Sequence, residues 1–273
     1  MYAQLPGETS ERDLSWLDCS FHPVLSPDGK MIAFQEQGNG GRFSAYLQKT
    51  DGSDAIRLRE GSPFTFSADG KWLTMVTFTP SPGALLLPIG PGEPKVIPME
   101  GLTFIHFPAF LHHTNSLVFL GREAGSDARR LYVQERNGSR RALTPDLGRT
   151  GSTLAVSGDD RYVAIRGVDG QPVVVPIAGG GIHPIPGASP DDWPIDWTTD
   201  NRIVYFAHSQ APPVDVFKID FETGHRKLWR TFTPTDPAGV YSLYTSSISP
   251  DGSSYAYSIT RSLSELYLVD GLR

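Results

Sequence analysis

Ser26-Pro27-Asp28-Gly29-Lys30 runs directly into Met31-Ile32-Ala33-Phe34. A tight turn delivers the chain into an apolar strand. Asp-Gly is a strong hairpin signal, because glycine takes positive φ without steric cost and aspartate tolerates it. The same phrase returns as Ser67-Ala68-Asp69-Gly70-Lys71 before Trp72-Leu73-Thr74-Met75-Val76, and as Ser249-Pro250-Asp251-Gly252 before Tyr255-Ala256-Tyr257. Taking Asn115, Asp160 and Asp200 as the equivalents between them, the first turns recur every 40–51 residues. That period is the length of a four-stranded propeller blade.

Each unit resolves into a meander of four short strands. The first runs through Val24-Leu25, Met31–Phe34, Ser44–Leu47 and Ala55–Leu58, with a loop at Gly38–Gly41 and a second Asp-Gly turn at Asp51-Gly52. The reading predicts an all-β, single-domain, six-bladed propeller over 1–273, with blades at about 20–60, 61–101, 102–148, 149–187, 188–235 and 238–273. The last blade has three strands of its own: Ser246–Ile248, Tyr255–Ser258 and Leu266–Val269. Met1–Glu11 reads as a loose polar lead-in. Arg12–Leu17 alternates polar and apolar, and is expected to complete the last blade as its outer strand, which closes the ring and covers an exposed edge. A frayed N-terminus is the alternative.

The chain has 273 residues and a net charge of −6, which argues against a nucleic-acid surface. Glycine (28) and proline (23) are abundant, as many turns require. No apolar run reaches the roughly 20 residues of a membrane span, and no basic-then-apolar leader opens the chain. Cys19 is the one cysteine, so an internal disulfide is ruled out; it reads as a small buried hydrophobe. A monomer is expected.

The Ser-Pro-Asp-Gly units resemble the WD-like repeats of the TolB propeller. Longer strings are similar to a narrower group: Glu11–Asp18 (ERDLSWLD), Tyr46–Gly52 (YLQKTDG), Asp236–Val240 (DPAGV) and Ser264–Arg273 (SELYLVDGLR). These resemble the C-terminal propellers of bacterial receptor-type serine/threonine kinases. In that family a cytoplasmic kinase precedes a membrane span and then the propeller. The resemblance implies a sensory or interaction region on the extracytoplasmic side; nothing else in the sequence assigns a compartment. The pattern departs from the repeat at His112-His113-Thr114-Asn115, at Gly158-Asp159-Asp160 and at Thr199-Asp200-Asn201. No glycine-rich loop with a strand lysine, His-Arg-Asp loop or Asp-Phe-Gly is present, so kinase activity would reside outside these residues.

Signs of chemistry within the chain are sparse. There is no Gly-x-Ser-x-Gly elbow. His106, His112 and His113 cluster in sequence, yet a metal needs ligands converging from one face, and the last two read as turn histidines. Asp191-Asp192 could do acid–base work or hold a cation, or could be a solvated loop. Asp28, Asp69 and Asp251 close their own turns, with a calcium role as the alternative. Ser67–Trp72 echoes a sialidase Asp box, but the repeat explains it. No catalytic residue, metal or cofactor is assigned.

Loops on a rigid scaffold carry function. In a propeller, the loops entering each innermost strand gather at one mouth of the channel together with the loops between second and third strands. Here they hold His22, Phe64, His106, Arg166, Asp192, Trp193 and Tyr241. Aromatics with an arginine suit an interface hot spot; Phe64 and Trp193 could equally pack between blades. Two functions stay open. One is a recognition module for a protein, peptide or small molecule at the channel mouth. The other is a propeller enzyme, a lyase or glycan hydrolase, with its site in the channel. An enzyme needs two or more titratable groups within hydrogen-bond reach there. A designed or truncated scaffold with no present function is a third possibility.

Overall fold

A computed structural model of the chain describes residues 1–17, 19–37, 42–78, 83–114, 116–148 and 153–263. The anticipated loop at Gly38–Gly41, the turn residue Asn115, the strand Leu266–Val269 and the closing string Ser264–Arg273 lie outside the described residues.

The chain opens with β1 (Tyr2–Gln4) and β2 (Arg12–Asp13). The first complete sheet is β3 (Ser20–Leu25), β4 (Met31–Gln37), β5 (Phe43–Lys49) and β6 (Ile56–Glu60). The second is β7 (Ser62–Phe66), β8 (Trp72–Thr77), β9 (Gly83–Pro88) and β10 (Lys95–Ile97). The third is β11 (Leu102–Phe110), β12 (Leu117–Glu123), β13 (Arg129–Gln134) and β14 (Arg140–Ala142). The fourth is β15 (Leu154–Val156), β16 (Tyr162–Arg166), β17 (Pro172–Pro176) and β18 (His183–Pro184). The fifth is β19 (Asp192–Trp197), β20 (Ile203–His208), β21 (Val214–Asp220) and β22 (Arg226–Phe232). The sixth combines β23 (Val240–Ile248) and β24 (Tyr255–Arg261) with β1 and β2, in the order β2-β1-β24-β23.

That order bears out the expected closure, with β2 as the outer strand, and corrects the reading of the lead-in. The head of the chain supplies two strands, and the third strand of the last sheet is β1, from the stretch expected to be a loose lead-in. Tyr2 pairs with Tyr257 and Gln4 with Tyr255. Only Arg12 and Asp13 of the predicted outer strand pair in the sheet, opposite Ala3 and Tyr2. Leu14 then turns into the core, while Trp16 leaves the sheet and is 36% exposed. The Glu11 carboxylate takes the hydroxyls of Tyr255 (2.8 Å) and Tyr257 (2.7 Å), which fixes the loop between β1 and β2.

The core is split into six clusters, one between each pair of neighbouring sheets. Successive side chains on a strand point to opposite faces. Val163 and Ile165 therefore pack toward the third sheet, and Ala164 between them toward the fifth. Both faces are covered, so the middle strands read as continuous apolar runs. The cluster joining Met1, Ala3, Leu14 and Ala256 to Leu25, Ile32 and Phe34 shuts the ring between the sixth sheet and the first. The molecule is a closed six-bladed β-propeller.

The Ser-Pro-Asp-Gly phrase closes as expected. Ser26 Oγ donates to Asp28 Oδ1 at 2.7 Å, the Lys30 amide bonds the same oxygen at 3.1 Å, and Gly29 takes φ 68°. The Ser26 hydroxyl, followed by the Lys30 amide, holds the Asp28 carboxyl below the usual carboxylate range. In the fourth blade the anchor is Asp159, bonded by Ser157 Oγ, and Asp160 fills the glycine position at φ 57°. Asp200 and Asn201 play the same two parts in the fifth. Cys19 is partly exposed rather than buried, because the strand begins only at Ser20.

Candidate functional site

A cavity of about 640 Å³ follows the axis, walled by the innermost strands β3, β7, β11, β15, β19 and β23. The turns to the second strands close its lower rim. Above them the innermost strands themselves line it, with Thr153 just before β15 and Gln210 just after β20.

Most of these strands carry a bulge near the upper rim: between Phe21 and Val24, Pro63 and Phe66, His106 and Ala109, Pro194 and Asp196, and Thr245 and Ser247. A bulge breaks the alternation and re-aims side chains. His22 and Phe107 both sit there at φ 52°. Proline supplies the inner-strand carbonyls that tie blades together: Thr74 Oγ1 donates to the Pro108 carbonyl at 2.8 Å and Thr153 Oγ1 to that of Pro194 at 2.6 Å.

The bulges gather an aromatic ring of residues. His22 stacks against Phe21 and Tyr244, at 5.1 and 5.5 Å. Phe64 meets His106 and Phe107 edge-on, both at 5.4 Å, and His106 lies 4.0 Å from Phe107. Burial pushes both histidines down to about 4; for His106 the charges of His22 and Arg129 add to it. At neutral pH both rings are uncharged. Trp193 lies under the Arg166 guanidinium, 4.1 Å from its centre. Arg166 is braced by the carbonyls of Gly170 (3.0 Å) and Pro190 (2.6 Å), and burial lowers its pKa despite the nearby Asp191 and Asp192.

Of the seven residues picked from the sequence, His22, Phe64 and Trp193 line the cavity. His106 and Arg166 stand behind them as stacking partners. The remaining two lie apart from this group. Asp192 is completely buried, accepting the Ser189 amide at 2.7 Å, His208 Nδ1 at 2.9 Å and both terminal nitrogens of Arg226, one of them at 2.9 Å. It is a support that holds the loop entering β19. Tyr241 sits at a bulge between Val240 and Ser242, is 61% exposed, and lies outside the cavity wall; Tyr244 lines it instead.

The expected histidine cluster is divided. His106 is at the upper rim, whereas His112 and His113 sit in the turn below β11, where Asp160 holds them. Among the described residues no three His, Cys, Asp or Glu side chains are placed to hold a metal. No helix of the described chain is long and apolar enough to cross a membrane.

Sequence reasoning missed Phe107, Tyr244, Gln210 and above all Asp196. The bulge after Pro194 places the Asp196 carboxyl on the cavity wall. It touches the cavity yet is surrounded by protein, and burial pushes it up to about 7 against the pull of the Trp197 amide, which bonds Oδ1 at 2.8 Å. Asp28 and Asp251, at the lower rim, are tied into their own turns. Among the described lining residues there is no lysine or arginine.

Neither a family model nor a curated relative matches the chain. Solved structures do resemble it. The putative TolB from Agrobacterium tumefaciens superposes with a TM-score of 0.69 at 17% identity, over 96% of this chain and 98% of that one. TolB from Acinetobacter baumannii gives 0.61 at 17%, over 88% of this chain, which spans only 63% of that protein. Oligogalacturonate lyase from Vibrio parahaemolyticus gives 0.59 at 16%, over 92% and 75%. At these identities the likeness is one of fold: the TolB-like six-bladed propeller.

Proposed function

We propose that this propeller is a non-enzymatic recognition module that takes a protein, peptide or small-molecule partner at its upper channel mouth. The observation that carries the reading is the rim of Phe64, Phe107, Trp193, Tyr244 and the uncharged His22, positioned by strand bulges and backed by Arg166 and His106. Rigid aromatic side chains at the centre of a concave face are what a binding hot spot needs. The similarity in fold to TolB supports this reading, and the strings quoted above favour a place in a bacterial receptor serine/threonine kinase or a TolB-like protein. A kinase, if present, would lie beyond these residues, and the propeller would then face the extracytoplasmic side.

The test is binding by the isolated propeller, screened by thermal shift and by pull-down, with Phe64→Ala/Trp193→Ala compared against wild type. Loss of capture by a double variant that keeps its circular dichroism spectrum supports the face. Unchanged capture rejects it.

Asp196 favours a second reading, a lyase or glycan hydrolase. A carboxyl that titrates near neutrality is suited to general acid or base work. Turnover of an acidic or neutral polysaccharide that disappears in Asp196→Asn would establish that reading and displace the first.

A further inference from the structure

We propose that the cavity accepts an organic ammonium group, a methylated one in particular, with Asp196 as its counter-charge and the aromatic rim as its sleeve. This rests on the binding reading above and names the chemistry of the ligand.

Three observations converge. The first is charge. The ionisable side chains on the described wall are Asp28, Asp196, Asp251, His22, His112 and Tyr244, so the wall carries acids with no arginine or lysine to balance them. A cleft lined by one sign of charge between low-dielectric walls concentrates ions of the other sign. The second is Asp196. Asp28 and Asp251 are bonded into turns, whereas the Asp196 carboxyl spends Oδ1 on the adjacent Trp197 amide and turns to the cavity. A half-buried carboxylate of this kind, largely surrounded by protein, gains from a cation that meets it. The third is the wall above it. Trp193 lies three residues earlier on the same strand, across the bulge, with the Arg166 guanidinium against one side of its ring. Phe64, Phe107 and Tyr244 line the same cavity. Aromatic faces attract cations, and they do so without hydrogen-bond acceptors, which suits an ammonium whose protons are replaced by methyl groups. The volume of about 640 Å³ is that of a small-molecule site.

The groups able to modulate Asp196 are the wall residues just named, Tyr205 paired with it across β19 and β20, and Asp200 in the turn that follows. Asp196→Asn separates its contribution from that of these groups.

The experiment uses choline and its uncharged carbon isostere, 3,3-dimethylbutan-1-ol, followed by calorimetry and by tryptophan fluorescence on the whole chain. Choline is expected to bind at least tenfold more tightly than the alcohol at pH 8, with the preference shrinking severalfold at pH 5.5. Asp196→Asn should abolish both the preference and its pH dependence. The pH series on wild type needs no variant to fold. Equal binding of the two probes overturns the cation assignment while leaving the aromatic rim as a binding face. Failure of both to bind overturns it as well, and then partner capture by the Phe64/Trp193 pair decides the broader reading separately.

Discussion

Asp160 accepts the backbone amide of His112 at 2.6 Å, across the boundary between the fourth blade and the third. Its other oxygen takes the His113 amide at 2.7 Å. In the third blade Leu111 stands where the other turns have a hydroxyl: its amide bonds the Ser116 carbonyl as Ser26 bonds that of Met31. The neighbouring blade's carboxylate thus ties down two amides of this turn. One departure from the repeat is thereby bonded to the other.

Removing that carboxylate should be costly. Hydrogen bonds to a charged group contribute about 1.5–3 kcal/mol, so Asp160→Ala is expected to lose about 2 kcal/mol. Asp160→Asn keeps an acceptor and tolerates the left-handed backbone, and should lose roughly half of that. Thermal unfolding followed by circular dichroism checks it. An Ala variant within ~0.5 kcal/mol of wild type, the range of featureless surface changes, would contradict the bridging role.

The clasp at Glu11 makes an alkaline prediction. Burial and the Glu11 hydrogen bonds raise the hydroxyl pKa of both Tyr255 and Tyr257 above the usual value. The folded state then keeps protons that the unfolded chain has given up near pH 10. Stability is therefore present below about pH 10 and falls as pH rises beyond it. Tyr255→Phe/Tyr257→Phe should flatten that fall in urea denaturation run between pH 9 and 11. An identical slope in the double variant would refute the assignment.

Asp192 and Arg226 test the support beneath the rim. Removing one partner of a buried pair leaves an uncompensated charge, so Arg226→Met should cost about 3–5 kcal/mol. Adding Asp192→Asn should restore at least half. Urea midpoints of the two single variants and the double give the coupling directly; additive losses would mean the pair is not a unit.

Asp196 should weaken the fold where it serves it. Its folded pKa of about 7 lies above its ordinary value. The unfolded chain thus ionises first, and stability is lost as pH rises from about 4 to 7. Asp196→Asn is expected to stabilise by roughly 2–4 kcal/mol at pH 8 and by almost nothing at pH 4. His22, held down to about 4, opposes this, since its stabilisation is lost as pH falls from about 6.5 to 4. Melting curves at the two pH values decide; equal effects at both would remove the carboxyl from the buried wall.

The ring was legible because its punctuation is chemical. Ser26 and Asp28 bond each other through two positions of sequence, and such local pairs survive in any context. What stayed hidden depends on partners far away or on local irregularity. Tyr2-Ala3-Gln4 is too short to show a period, and it is a strand only because Tyr255–Tyr257 lies beside it. Asp192 looks like a loop carboxylate until Arg226 arrives from 34 positions on. Simple alternation along Pro194-Ile195-Asp196-Trp197 hides that a bulge swings Asp196 to the axis. The sequence points to Tyr241 rather than Tyr244 for the same reason, since β23 slips register just after Val240.

The pairing of β1 with β24 imposes an order on assembly. Gln4 must wait for Tyr255, 251 positions downstream, before its hydroxyl-bonded neighbour exists. Until then Met1, Ala3 and Leu14 have no apolar cleft to enter, and five sheets stand as an open arc with bare flanks. Such distant contacts slow folding and expose sticky surface meanwhile. An arc left open until β23 and β24 pair with β1 would gain from being shielded in the meantime.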